Sequence, residues 1–293
     1  MTLATSLCPP QLRCGGRVLD LRNPHVMAVV NVTPDSFSDG GQLHWGGAIA
    51  LDVLCERVEA FIEQGATLID IGGESTRPGA APVSEQEECD RVLPAVEAIA
   101  ARFDVVISVD TSTAAVIRGS ADLGAGLIND VRALQRPGAL AAAAQTGLPV
   151  CLMHMQGEPD SMQADPRYRD IVAEVRDFLL ARAATCEAAG IARDQVLLDP
   201  GFGFGKSLNH NLTLFRSLSQ FAELGFPVLV GVSRKSMLGA ITGREVGDRM
   251  PASVVAAALA VERGAKIVRV HDVAETADAL AVVSALNGLM ERP

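Results

Sequence analysis

Aromatic residues are scarce, at 4% of the 293-residue chain, with one Trp and one Tyr. Basic residues are outnumbered: 25 Lys and Arg stand against 35 Asp and Glu, for a net charge of −10. That balance excludes nucleic-acid binding as the main business, which needs a basic footprint. It still allows an anionic small substrate, which needs only a few cations in one place. Cysteine is sparse and scattered (Cys8, Cys14, Cys55, Cys89, Cys151, Cys186), with no C-x-x-C pair and no zinc-like spacing. Such residues read as buried or free thiols in a reducing, cytoplasmic compartment. No apolar run approaches the roughly 18 residues a membrane span requires. Met1–Leu12 shows no basic segment followed by an apolar one, so no signal peptide is expected. Low-complexity segments, linkers and H-x-x-x-H spacings are also missing.

What is abundant is Ala, Val and Leu, within a hydrophobic fraction of 48%. That mix suits many helices packed on a buried sheet. One stretch, QVLLDPGFGFGKS (Gln195–Ser207), sets the pattern: an apolar run, a carboxylate at its end, a glycine turn, then an amphipathic segment. Apolar runs of this kind occur at His25–Val30, Thr67–Ile71, Val105–Val109, Gly126–Ile128, Pro149–Met153, Val196–Leu198, Pro227–Val230 and Lys266–Val270. They are near-continuous rather than alternating, as in parallel strands covered on both faces. Helical patterns separate them. Leu51, Leu54, Val58, Phe61 and Ile62 recur at three and four. Ser84–Glu87 spells a capping box ahead of a helix that contains Pro94. Asp165-Pro166 reads as the start of the next helix. Leu214, Phe215, Leu218, Phe221 and Leu224 form one further stripe, Met250-Pro251 opens an Ala-rich helix, and Ala274–Glu291 is the last.

Eight βα units without a break predict an α/β protein, a single (β/α)8 TIM barrel over residues 25–293. A doubly wound open sheet is the competing architecture. Residues 1–24 form an extension, with a possible hairpin plugging the barrel's bottom.

Chemistry in such a barrel sits where strands exit. The exits carry Asn31, Asp70, Asp110, Asn129, His154, Asp199, Ser233-Arg234-Lys235, and Arg269 with His271. Any one of these could be an ordinary cap; Asn31, Asp110, Asn129, Asp199, Lys235 and His271 together would converge on one mouth. Asp70 precedes Ile71 and is either structural or part of the site. His154, between Met153 and Met155, reads as structural. Arg269 and His271 are two apart and point the same way on a strand. With Lys235 they gather cations where barrels hold phosphate. Asp110, Asn129 and Asp199 suit a ligand rich in N–H donors, such as a 2-aminopyrimidinone edge. A tightly held transition metal is not expected, whereas Mg2+ shared with phosphates stays open. Gly201–Ser207 is not a P-loop, because Pro200 stands where its first glycine belongs. Its glycines instead let a loop approach a ligand, with Phe202 or Phe204 to stack. Asn31–Gly47 and Gly72–Val83 read as lids at the mouth.

NVTPDSFSDGG (Asn31–Gly41), DIGGESTRPG (Asp70–Gly79), VDTS (Val109–Ser112), IND (Ile128–Asp130), MHMQG (Met153–Gly157), LDPGFGFGK (Leu198–Lys206), GVSRKSMLG (Gly231–Gly239) and VRVHDV (Val268–Val273) resemble dihydropteroate synthases, in order and almost throughout. The resemblance implies a TIM-barrel homodimer. It implies condensation of 4-aminobenzoate with 6-hydroxymethyl-7,8-dihydropterin diphosphate, with Mg2+. By position, Asp110, Asn129, Asp199 and Lys235, with Met153 also in the substrate site, would hold the pterin. Asn31, as metal ligand, with Arg269 and His271, would hold diphosphate and Mg2+. Thr76, Arg77, Pro78, Phe204 and Ser233 would shape the aminobenzoate pocket. Lys235, Arg269, His271 and Arg77 are the expected catalytic residues. Rival readings are a methyltetrahydrofolate:corrinoid methyltransferase, which has no diphosphate to bind, and a non-catalytic paralogue.

Overall fold

A computed structural model describes residues 8–33, 44–45, 48–75, 83–157 and 162–288. Strands β1 (Gln11–Cys14) and β2 (Arg17–Asp20) make an antiparallel hairpin. β3 (His25–Asn31) enters the main sheet, and β4 (His44–Trp45) and β5 (Ala48–Ile49) pair with each other. The sheet continues with β6 (Leu68–Gly72), β7 (Val106–Asp110), β8 (Leu127–Asp130), β9 (Val150–Met153), β10 (Val196–Asp199), β11 (Leu229–Val230) and β12 (Ile267–Val270). Its order is β10-β9-β8-β7-β6-β3-β12-β11, and all its paired strands are parallel. A parallel bridge from Leu198 to Val228 joins the two ends, so the eight strands close. The helices are α1 (Leu51–Glu63), α2 (Glu85–Arg102), α3 (Ala114–Asp122), α4 (Ala139–Thr146), α5 (Ile171–Ala188), α6 (Leu208–Arg216), α7 (Leu218–Ala222), α8 (Ser236–Thr242), α9 (Met250–Glu262) and α10 (Val273–Leu286).

The period of two along a strand divides the core. Val26, Ala28, Val30, Ile69, Ile71, Ile107, Val109, Leu152, Leu198 and Val268 pack with the helices in the larger cluster. The alternate residues face inward. Met27, Leu68, Val106, Leu127, Cys151, Leu197, Leu229 and Ile267, one from each strand, form a second cluster with Leu12, Cys14, Leu19 and Leu21 of the hairpin region. The hairpin thus closes the bottom. Burying side chains of this size is worth about 1.5–3 kcal/mol each. Two residues further along five of these strands, the inward position turns polar: Asp70, Ser108, Asn129, Asp199 and Arg269. The site therefore stands directly on the apolar plug.

Local elements depart from the sequence patterns in three places. α5 starts at Ile171, capped by Asp170, rather than at Asp165-Pro166. The Asp170 carboxylate accepts from Val172 N and Ala173 N at 3.1 Å, an option Asp165 has foregone by pairing with Arg167. The Leu214–Leu224 stripe is two helices, broken at Ser217. The Ser84 box is half-formed: Ser84 Oγ accepts from Glu87 N, while the Glu87 carboxylate takes Arg91 instead. Pro94 is carried inside α2.

Candidate active site

β6 places Asp70 in the barrel interior, with no solvent exposure. Its carboxylate accepts from Ser108 Oγ at 2.5 Å, Asn129 Nδ2 at 3.3 Å and Arg269 Nε at 2.5 Å. Arg269 Nη2 donates to Asp110 Oδ2 at 3.0 Å. One guanidinium from β12 thus bridges carboxylates on β6 and β7. Burial disfavours the arginine's charge, but Asp70 and Asp110 outweigh it and hold its pKa above the usual value. Asp110 is pushed up by burial, with Arg269 opposing and Asp70 adding to the rise.

Gly72 ends β6 beside this pair. A Cβ there would lie 3.5 Å from Asn31 Oδ1 and 3.8 Å from Asp110 Oδ2. Those two oxygens therefore flank the side of Gly72 that carries no side chain.

Asp199 ends β10, accepts Gly201 N at 2.8 Å, and is pushed up by burial against the pull of Lys235. Lys235 precedes α8. Burial holds it down to about 8, opposed by Asp199. Its Nζ donates to Phe202 O and sits 4.6 Å from the Phe204 ring centroid. Ser233 Oγ lies 3.0 Å from His271 Nδ1 and accepts the His271 N–H at 3.2 Å.

The glycine loop is pressed onto the β9 exit. Gly201 has φ +70°, and a Cβ there would fall 1.9 Å from His154 O; at Gly205 it would fall 2.3 Å from Gln156 O. No other residue fits either position. Lys206 locks the arrangement. Its buried Nζ reaches Gly201 O at 2.8 Å, Phe204 O at 2.9 Å, His154 O at 3.2 Å and His154 Nδ1 at 2.9 Å. Burial pushes the Lys206 pKa well below the usual lysine value, and the three carbonyls, which can only accept, take hydrogens from its Nζ. His154 is structural, as expected from sequence.

This contact has a pH consequence. Burial and the Lys206 charge hold His154 down at about 3. An unfolded histidine takes its proton near pH 6.5. Stability from the neutral ring is therefore complete above 6.5 and lost as pH falls toward 3. Buried acids with raised pKa act with the opposite sign, so the comparison must isolate one residue. Between pH 7 and 5 the urea midpoint should fall further in the unsubstituted protein than in His154→Gln. Parallel curves would contradict this.

Of the residues expected from sequence, Asn31, Asp110, Asn129, Met153, Asp199, Phe204, Ser233, Lys235, Arg269 and His271 belong to the carboxyl ends of the barrel strands and the loops beyond them. Charges from β7, β10, β12 and the β11 exit influence one another there. Thr76, Arg77 and Pro78 lie outside the described residues. Asp70, left open by the sequence, is part of the cluster. Glu74, near the start of the second loop, was not anticipated. Arg132 and Arg136 hold it, at 3.1 and 2.9 Å. Among the described residues no group of three or more His, Cys, Asp or Glu could hold a metal.

A closed barrel whose mouth sets hydrogen-bonding acids beside a cluster of cations is an enzyme site for a donor-rich, anion-bearing small molecule. A family model described as "Pterin binding enzyme" matches residues 27–271. The dihydropteroate synthase of Escherichia coli (strain K12) is 55% identical over 270 residues, 92% of this chain and 94% of that one. The structure of Xanthomonas albilineans dihydropteroate synthase with 4-aminobenzoic acid superposes with a TM-score of 0.88 at 49% identity, covering 95% and 98% of the two chains. A second structure of the Xanthomonas albilineans enzyme, in complex with 7,8-dihydropteroate, gives 0.85 at 46%, covering 95% and 99%. The chain belongs to the dihydropteroate synthase family of transferases.

Proposed function

We propose that this chain joins 4-aminobenzoate to 6-hydroxymethyl-7,8-dihydropterin diphosphate, forming 7,8-dihydropteroate and releasing diphosphate. The observation that carries this is the Asp70–Arg269–Asp110 bridge, which sets an anion-seeking guanidinium beside acids that accept N–H donors. Relatives with 4-aminobenzoic acid and with 7,8-dihydropteroate support both ends of the reaction.

In this reading Asp199 and Asn129 take the pterin's N–H edge, with Asp110, Met153 and Lys235 around the ring. Arg269 and His271 take the diphosphate, and Ser233, which the sequence resemblance assigns to the aminobenzoate pocket, joins them in this reading because its hydroxyl pairs with His271. Two of the Arg269 nitrogens are committed to carboxylates; Nη1 has no bond to the protein among the described residues and is available to a phosphoryl oxygen. The C–O bond to the exocyclic carbon breaks with its electron pair leaving on diphosphate, where these cations stabilise it. The aniline nitrogen then supplies the pair for the C–N bond and loses its proton afterwards. No strong base is needed beforehand, and much of the rest is positioning. Thr76, Arg77, Pro78 and Phe204 would shape the aminobenzoate side, with Arg77 in a catalytic role.

Asn31 Oδ1 and Asp110 Oδ2, flanking the space at Gly72, fit Mg2+, a hard cation that often takes only one or two protein ligands beside substrate phosphates. When bound, it would neutralise charge on the departing diphosphate.

A homodimer is also proposed. Val255 and Leu259 on α9 and Val282 and Leu286 on α10 are exposed, one turn apart on each of two packed helices, and would meet a second copy. A cytoplasmic location is supported by six free cysteines. Among the described residues no helix is long and apolar enough to cross a membrane.

Diphosphate should appear only when both substrates are present. Release with the pterin substrate alone, or none with both, would overturn the assignment.

A further inference from the structure

Ser233-Arg234-Lys235 links β11 to α8, and its outer two residues serve the mouth. The middle one has φ +57°, a left-handed backbone that L residues with a Cβ avoid. Such conformations persist only where the surroundings over-determine them, and they cluster at functional sites. Here the surroundings are explicit. Arg234 N donates to Ser253 Oγ at 2.9 Å, and Arg234 O accepts Arg249 Nη1 at 3.0 Å. Gly239 makes room for that arginine, since a Cβ there would lie 2.4 Å from Arg249 Nη2. The guanidinium makes a two-pronged pair with Asp272: Nε to Oδ2 at 3.1 Å and Nη2 to Oδ1 at 2.5 Å. The pair is mostly shielded, its side chains 25% and 10% exposed.

Asp272 directly follows His271, and Arg234 directly follows Ser233. The four residues therefore close a ring: peptide bond, ion pair, peptide bond, and the Ser233–His271 hydrogen bonds. With the Ser233 hydroxyl hydrogen on His271 Nδ1, the neutral imidazole carries its proton on Nε2.

We propose that Arg234 is a positioning residue: through Asp272 it fixes the Ser233–His271 pair in register to receive the diphosphate. The inference rests on that pair being the anion site.

The test uses Arg234→Gly, Asp272→Asn and the double variant. Glycine adopts the left-handed backbone freely, so the loop's main-chain bonds can survive. Calorimetry would compare 6-hydroxymethyl-7,8-dihydropterin diphosphate with the corresponding alcohol, which lacks the anion. Each single variant should weaken the diphosphate about tenfold or more, as for loss of a charge-assisted bidentate pair. Affinity for the alcohol and KM for 4-aminobenzoate should stay within about twofold, a split that general loosening of the loop would not produce. The double variant should be no worse than either single one, because all break the same link. Unchanged diphosphate affinity, equal loss for both pterins, or multiplying losses would overturn the proposal. If the unsubstituted enzyme binds both pterins equally, the anion site itself is misassigned.

Discussion

Arg269→Met should cost the unliganded protein about 3–5 kcal/mol, the usual penalty for leaving a buried charge without its partner. Asp70 is fully buried, the Asp110 side chain is 15% exposed, and one guanidinium serves both. Without it the two carboxylates repel, and Asp110, already pushed up by burial, favours its proton further. A folded-state pKa raised above the unfolded value adds stability as pH falls through it. The deficit should therefore be largest at alkaline pH and shrink toward pH 5. Adding Asp70→Asn should recover part of the stability and none of the turnover, since the leaving group still lacks its cation. Urea unfolding across pH, beside steady-state rates, checks both halves. A variant as stable as its parent, or one that still turns over, would contradict the bridge's double role.

Asp199→Asn should act in the opposite way on stability and strongly on binding. The carboxylate is buried and its pKa raised, so the fold loses little and can gain when the charge is removed. The pterin loses a paired acceptor and meets an amide N–H instead of an oxygen. Affinity for the pterin diphosphate should drop by about 100- to 1,000-fold, in line with breaking charge-assisted hydrogen bonds in a dry site. Calorimetry with the diphosphate measures this directly. A change below tenfold would remove Asp199 from the pterin's hydrogen-bonding edge.

The parts legible in the sequence were those written locally. Each barrel strand is a short apolar run, and each runs into a polar residue within a few positions, so the eight strands and most of the mouth follow from period and punctuation. Gly201 and Gly205 read in the sequence as glycines that let a loop approach a ligand; what they approach is the backbone beyond β9, at His154 O and Gln156 O. The rest is non-local. Asp70 could not be assigned because its partner, Arg269, lies 199 residues away. Lys206 looks like the end of a loop, yet it is the buried pin between the β9 and β10 exits. Arg234 looks like one more exposed cation beside Lys235 until Asp272 is brought to it across 38 residues. The start of α5 was misplaced because Asp165-Pro166 and Asp170 are both plausible caps, and only the latter has its carboxylate on the first turn.

All of this depends on β6, β7, β8, β10 and β12 building one receptor, with acids for the heterocycle and cations for its anionic tail. The most direct measurement is a crystal structure with 6-hydroxymethyl-7,8-dihydropterin diphosphate bound. The expected result is the N–H edge on Asp199 and Asn129, and the diphosphate against Arg269, Ser233 and His271. A pterin seated elsewhere, or a diphosphate turned away from Arg269 and His271, would contradict the account.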